Sequence, residues 1–183
     1  MEKPDLQPTL TSQLLTVRPL RQQDWPDLYA VAADKALWAL HPKPDRYKEH
    51  EFRQFFLGAM TSGSAFAVLD NKTGQLCGSS RYHGYDPELN EVEIGWTFLG
   101  RAYWGGIYNR ELKRLMLDHA FNMVGKVIFW VGESNLRSRR AMEKIGGVLQ
   151  PGVHRRAATG DAPYVIYAID RAVYQLNVQV CHQ

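Results

Sequence analysis

The sequence predicts an α/β (α+β) fold, a single domain whose mixed, mostly antiparallel sheet has helices on both faces. Three observations lead to this prediction. The length of 183 residues fits one domain that can bury a core of its own. The periodicity of apolar residues changes along the chain in the order strand, helix, helix, three strands, helix, strand, helix and two strands. A meander followed by strand–helix–strand units is typical of a mixed sheet that is covered on both sides.

The first part of the chain contains one strand and two helices after a polar arm. In order, the expected elements are a loose N-terminal arm (1–13), a strand (14–20), a helix (25–32), a rigid loop with two prolines (38–44) and a second helix (47–60). Asp24 is expected to cap the first helix, and Pro26 stands at an early helical position where its missing N–H costs nothing. The domain proper is therefore expected to begin at residue 14.

The rest of the chain alternates strands with helices. The expected elements are strands at 65–69, 75–83 and 91–99, a helix at 110–121, a strand at 126–131, a helix at 135–145, and closing strands at 148–153 and 163–169. Residues 70–74 form a strong hairpin signal, and the apolar run at 127–131 is typical of a strand buried on both faces. We expect the domain to end at residue 173 and a C-terminal tail to cover 174–183.

Charge and cysteine content narrow the classes of function. The net charge is only +3, and the basic residues are spread along the chain, so no nucleic-acid partner is expected. Cys77 and Cys181 are the only cysteines, and their spacing fits neither a metal site nor a redox pair. Reduced thiols indicate a cytoplasmic protein. The N-terminus lacks an apolar signal core and no apolar run reaches membrane length, so no membrane partner is expected.

One stretch carries the first functional signal. Val92, Ile94 and Trp96 alternate with smaller or polar residues, as in a strand, and a glycine-containing turn follows before the helix at 110–121. Where a glycine turn joins a strand to a helix, the first backbone N–H groups of the helix have no helical acceptor. These donors and the helix dipole together form a suitable binding site for a phosphate or pyrophosphate. The alternative is a tight turn without a ligand. The fingerprints of phosphate-loop triphosphatases and of dinucleotide-binding folds are both absent.

Four segments together resemble the GNAT superfamily of N-acetyltransferases, and within it the ribosomal-protein-acetyltransferase-like (RimJ/RimL-like) branch. The segments are Leu15 to Leu20 with Asp24, Thr73 to Gly78, Glu93 to Gly106, and Asn135 to Gly146. The resemblance spans about residues 14–170. It implies a GNAT-like sheet with a splayed central strand pair, acetyl-CoA as co-substrate without a metal, and direct attack by a primary amine in a ternary complex. The amine belongs to a protein N-terminus or to a small molecule, and homodimer formation is left open.

The resemblance also assigns the cofactor-binding residues. Backbone groups of Thr97, Phe98 and Leu99 would contact the pantetheine arm, as would the side chain of Asn135, for which plain helix capping is the alternative. The diphosphate would lie against the turn formed by Trp104, Gly105, Gly106, Ile107, Tyr108 and Asn109. Ile107 departs from the family pattern, because it stands where a glycine is expected and isoleucine disfavours a positive φ.

The resemblance leaves the catalytic groups less well defined. Glu93 is the candidate general base, with Glu91 on the same sheet face as a second candidate and an ion pair with Arg81 as the alternative role. His41, His83 and His154 are further candidate bases.

Ser138 is the candidate for contacting or protonating the leaving sulfur, since it lies one helical turn beyond Asn135. Met142 occupies the place of the tyrosine that many superfamily members use as general acid. A catalytically weak acyl-CoA-binding module of the same fold is therefore the competing functional hypothesis.

Overall fold

An eight-stranded sheet organises the computed structural model, which describes residues 4–156 and 161–180. The strands are β1 (Leu10–Thr11), β2 (Leu15–Pro19), β3 (Ala65–Asp70), β4 (Leu76–Asp86), β5 (Glu91–Leu99), β6 (Lys126–Gly132), β7 (Val148–Leu149) and β8 (Tyr164–Asp170). The helices of the described residues are α1 (Trp25–Ala32), α2 (Glu49–Ser62), α3 (Tyr108–Ala120), α4 (Leu136–Lys144) and α5 (Arg171–Val180). From β2 to β8, the expected order of strands and α-helices is confirmed.

The sheet is antiparallel except at its centre, where β5 and β6 run parallel. Its strand order is β1-β2-β3-β4-β5-β6-β8-β7. Pairing between β5 and β6 covers only Glu91 to Glu93 against Lys126 to Ile128, whereas β6 remains paired with β8 as far as Gly132. The second halves of β5 and β6 therefore separate, which confirms the splayed central pair.

Two apolar cores lie on opposite faces of this sheet. On β3, Phe66 and Val68 belong to one core, and the alternating Ala65 and Ala67 belong to the other. The first core contains buried residues of α3 and α4, including Leu112, Met116 and Met142. The second contains buried residues of α1 and α2, including Leu28, Phe52 and Phe56. Helices thus cover both faces, as predicted.

The termini differ from the expected arm and tail. Residues 10–11 form the edge strand β1, and Leu6 packs against the first core. The prediction of a loose arm over residues 1–13 is therefore wrong for residues 6 and 10–11. Helix α5 extends to Val180, where a polar tail was expected from residue 174. The ends of the arm and tail, residues 1–3 and 181–183 with Cys181, lie outside the described residues. None of the described helices is both long and apolar enough to span a bilayer.

Two local predictions are also corrected. The Asp24 carboxylate does not cap α1, because it accepts hydrogen bonds from the Arg18 guanidinium at 2.8 Å and from the Arg21 backbone N–H at 2.8 Å. The strand expected at 148–153 is only two residues long and is followed by an isolated bridge between His154 and Tyr164. The first correction reflects side-chain pairing with Arg18 and Arg21, a few residues earlier in the chain. The second reflects how residues 148–154 meet β8.

Candidate active site

The gap between β5 and β6 opens into a cavity of about 890 Å³. The first turn of α3 closes one end of it, and the start of α4 forms one side. Of the predicted site residues, ten line this cavity: Thr97, Phe98, Leu99, Trp104, Gly105, Gly106, Ile107, Asn109, Asn135 and Ser138. Tyr108 is not among its lining residues, and Glu93 lines a smaller neighbouring pocket instead. The volume is within the range of natural small-molecule and cofactor sites.

A β-bulge shapes the cavity side of β5. The pairing with β4 passes from Arg81↔Gly95 to Ser79↔Phe98, so β5 carries one residue more than its partner. Trp96 within the bulge has a φ of 50°, a left-handed conformation that is costly for a tryptophan. The Arg81 guanidinium lies 4.3 Å from the centre of the Trp96 ring and helps to hold it. Because β6 has already separated, the backbone edge of this half of β5 faces the cavity.

The turn before α3 has a backbone conformation that its residues adopt without strain. Gly105 takes the positive φ, 70°, whereas Ile107 has a φ of −80° and is the N-cap of α3. Isoleucine at position 107 is therefore compatible with the turn. The N–H groups of Tyr108, Asn109 and Arg110 belong to the first helical turn, where a helix offers no acceptor for them.

Trp104 contributes to this turn through its side chain rather than its amide. Its backbone N–H already donates to the carbonyl of Arg101 at 3.0 Å, so this amide is not a free donor. Its indole N–H donates to the carbonyl of Leu99 at 2.8 Å, and the Arg137 guanidinium lies 3.8 Å from its ring centre. The available amide donors consequently begin after Trp104.

The start of α4 shows the capping role that was considered for Asn135 and places the same residue at the cavity. Its side-chain oxygen accepts a hydrogen bond from the Ser138 N–H at 3.2 Å, which is a helix N-cap. Asn135 is nevertheless a lining residue of the cavity, and it is buried. Met142 packs in the core and also lines the cavity, and its thioether has no proton to donate.

Replacing Asn135 separates its observed capping role from the expected cofactor contact. Asn135→Ala is expected to lower the free energy of unfolding by about 1 kcal/mol through loss of the cap, and to weaken acetyl-CoA binding. Asn135→Asp keeps the capping oxygen but removes the amide N–H₂ donor, so it should restore stability without restoring binding. Urea denaturation and titration calorimetry measure the two effects. Full affinity in the aspartate variant would contradict a cofactor contact by the amide.

Glu93 is buried, with an exposed fraction of 4%, and forms an ion pair with Arg156. The ion pair considered with Arg81 is therefore made by a different arginine. Burial raises the pKa of Glu93, and the hydrogen bond from Arg156 offsets part of that rise. Glu91, the second candidate base, pairs with Lys126 at 2.7 Å, where β5 and β6 begin. Of the two carboxylates, Glu93 has the environment expected of a general base.

Three histidines were further candidates for the base. His41 lines the main cavity, but burial and the charge of Arg46 lower its pKa to about 3, which makes it a weak base. The pKa of His83 is also lowered by burial, and its ring packs against Trp96 with 4.8 Å between the ring centres. His154 is not among the lining residues of either pocket.

Lys113 is a lining residue that the sequence did not single out. It is 2% exposed, and its Nζ donates to the Thr97 hydroxyl at 2.6 Å, which in turn lies 2.8 Å from the Ser80 hydroxyl. Burial lowers its pKa to about 7. A signal was present in the sequence: Met116 and Leu117, three and four residues later, place Lys113 on the apolar side of α3.

Arg46 and Arg156 were missed for another reason. Both line the smaller pocket beside Glu93, but they come from a short helical turn and from a loop after β7, far from Glu93 in the chain. No local pattern distinguishes them from surface arginines, because their position depends on how distant segments meet.

Comparison with solved structures shows the same fold in acetyltransferases. A GCN5-related N-acetyltransferase from Brucella melitensis is 18% identical, with a TM-score of 0.82, covering 94% of this chain and 83% of the other. A Vibrio cholerae protein assigned as a ribosomal-protein-serine acetyltransferase is 16% identical, with a TM-score of 0.74 and coverages of 88% and 97%. Spermidine N-acetyltransferase from Vibrio cholerae, in complex with CoA and spermine, is 16% identical, with a TM-score of 0.69 and coverages of 90% and 99%.

Family membership rests on the sequence itself. The model of the acetyltransferase (GNAT) domain matches residues 15–148, which is more than half of the chain. The matched range runs from β2 to β7 and contains the splayed strands, the turn before α3 and the start of α4. This chain therefore belongs to the GNAT acetyltransferase domain family.

Proposed function

We propose that this protein is an acetyl-CoA-dependent N-acetyltransferase that moves an acetyl group to a primary amine by direct attack in a ternary complex. The observation that carries the proposal is the separation of β5 from β6 beside a helix start with free backbone donors. The separated strands offer room for an extended pantetheine arm with a thioester at its end. The amide donors at the helix start suit the diphosphate that lies at the other end of the same molecule.

The backbone groups would bind and orient the co-substrate. The N–H groups of Gly105 to Arg110 would hold the diphosphate, and the cavity edge of Thr97 to Leu99 would pair with the pantetheine amides. Asn135 would supply a side-chain contact to the same arm. These contacts fix the thioester carbonyl near the bulge in β5, where a neighbouring N–H polarises it.

Two side chains near the thioester would take part in proton transfer. Glu93 would accept a proton from the ammonium or from the attacking amine, because its buried carboxylate holds a proton more readily than an exposed one. Ser138 would place its hydroxyl near the departing sulfur from the first turn of α4. Neither step requires an acyl-enzyme, and Cys77 is buried in the apolar core, where burial raises the pKa of its thiol to about 12.

The acceptor is proposed more narrowly as a protein N-terminus or a small amine. The ribosomal-protein-serine and spermidine enzymes among the solved structures represent these two classes, and each name describes that protein alone. Within the family, the motif pattern supports the RimJ/RimL-like branch. A cytoplasmic location remains a prediction from the sequence, which leaves homodimer formation open.

A second candidate function is an acyl-CoA-binding module with little catalysis. The ion pair between Glu93 and Arg156 favours it, because a carboxylate engaged with a guanidinium accepts a proton less readily. The two functions differ in whether Arg156 leaves Glu93 when an acceptor enters.

Two measurements on the purified protein separate these functions. Calorimetry should show saturable binding of acetyl-CoA, and a thiol assay should show steady release of CoA with an amine panel containing peptides, polyamines and amino acids. Binding with turnover supports the enzyme, and binding without turnover for any amine supports the module. Failure to bind acetyl-CoA would contradict both.

A further inference from the structure

A small pocket of about 50 Å³ lies beside the main cavity. Four residues, His41, Trp96, Trp130 and Tyr164, line both spaces, so the pocket adjoins the place proposed for the thioester. Its remaining lining residues are Arg46, Glu93 and Arg156. It has room for a carboxylate or for a few water molecules.

Arg46 is a buried guanidinium that has no carboxylate of the described residues within ion-pair distance, although the charge of Glu51 acts on it from further away. It is 8% exposed, and its contacts are the His41 ring and the faces of Phe55 and Trp38, at 4.9 and 5.6 Å from the ring centres. Glu93, the single acidic residue among those described around the pocket, is already paired with Arg156. The lining therefore carries an excess positive charge, and a buried unpaired charge is costly.

The contact between Arg46 and His41 shows where an acceptor is missing. The Nδ1 of His41 accepts a hydrogen bond from the Lys43 backbone N–H at 2.9 Å, so a neutral ring carries its proton on Nε2. This Nε2 lies 3.2 Å from Nη1 of Arg46. A guanidinium is only a donor, so two N–H donors face each other at this point. A shared acceptor beside the two nitrogens, within hydrogen-bonding distance of each, satisfies both.

We propose that Arg46 and His41 form an anion subsite next to Glu93, and that the acceptor amine of the proposed acetyl transfer carries a carboxylate that binds there. The inference rests on the proposed function for the identity of its ligand. A water oxygen could fill the same point, but the excess positive charge favours an anion. A bound carboxylate also offers Arg156 a second anionic partner, which would release Glu93 to accept a proton.

Direct binding tests the subsite without requiring turnover. Glycine, β-alanine and 4-aminobutanoate are each titrated against the corresponding amide in a calorimeter, with and without CoA. At least one acid is expected to bind about tenfold more tightly than its amide, because the amide lacks the charge that pairs with Arg46. Equal affinities within every pair, or no binding of any acid, would overturn the subsite.

Two variants locate the effect. Arg46→Met should remove the preference for the acid, and Arg46→Lys should keep part of it because the charge remains. Arg53→Met is the matched control, since Arg53 also stacks on an aromatic ring, 4.6 Å from the centre of Trp25, but does not line the pocket. The wild-type comparison stands even if Arg46→Met does not fold. Failure to bind acetyl-CoA would count against the proposed function, whereas loss of the acid preference alone counts against the subsite.

Discussion

Glu93→Gln is expected to lower kcat by about 100-fold or more while changing the affinity for acetyl-CoA by less than about threefold. Glutamine fills nearly the same volume but cannot accept the proton that the amine must lose. Glu93 is buried beside the bulge of β5 and does not line the main cavity, so cofactor contacts should survive its replacement. Steady-state kinetics with the best acceptor and calorimetry with acetyl-CoA measure the two quantities.

The pH profile gives the sharper version of this test. Because burial raises the pKa of Glu93, the kcat of the wild type should fall as the pH drops through that raised pKa. The kcat of Glu93→Gln should not show this fall. Glu91→Gln is the matched control, since Glu91 lies two residues earlier and pairs with Lys126. Equal kcat for Glu93→Gln and wild type at every pH would remove Glu93 from the mechanism.

Lys113→Met is expected to stabilise the protein at pH 6–7 by several kcal/mol, up to about 5, and to change the pH dependence of its stability. In the folded protein, burial lowers the pKa of Lys113 from 10.5 to about 7. Below pH 7 the amine is charged in both the folded and the unfolded state, so the whole cost of burying the charge is present. Methionine fills a similar volume without a charge.

The sign of the pH effect follows from proton uptake. Between pH 7 and 10.5 the unfolded state binds the lysine proton more strongly than the folded state, so this group makes the protein more stable as the pH rises. The advantage of Lys113→Met should therefore shrink over this range and approach zero near its upper end. Urea denaturation of both proteins at a series of pH values measures the difference.

The control for this prediction is a lysine that is not buried. Lys126→Met removes an amine that is about 40% exposed and paired with Glu91, and its effect should be small throughout the series. A Lys113→Met protein that is less stable than wild type at pH 6 would contradict the account. In that case the hydrogen bond to Thr97 would outweigh the cost of the buried charge.

The fold could be predicted largely from local patterns. Alternation along Val92 to Trp96 and helical spacing from Leu112 to Ala120 report burial directly, and burial in turn fixes the elements. The ends of elements were less predictable, because they depend on side-chain pairing that the periodicity of apolar residues does not encode. Asp24 illustrates this, since its pairing with Arg18 replaces the helix cap that its position favours.

The cofactor side of the candidate site could be predicted better than the acceptor side. The turn at 104–109 and the start of α4 are contiguous motifs, so their resemblance to a known family could be identified. The pocket around Glu93 is assembled from Arg46, Trp130 and Arg156, which are widely separated in sequence. Neither periodicity nor spacing encodes such a meeting of segments, and only the three-dimensional arrangement reveals it.

A crystal structure of the protein with acetyl-CoA tests the central claim most directly. The account predicts diphosphate oxygens within hydrogen-bonding distance of backbone N–H groups in the turn from Gly105 to Arg110. It also predicts the pantetheine arm between the separated halves of β5 and β6, with the thioester near the bulge at Trp96. Acetyl-CoA bound elsewhere, with this turn and the gap between the two strands free of it, would contradict the account.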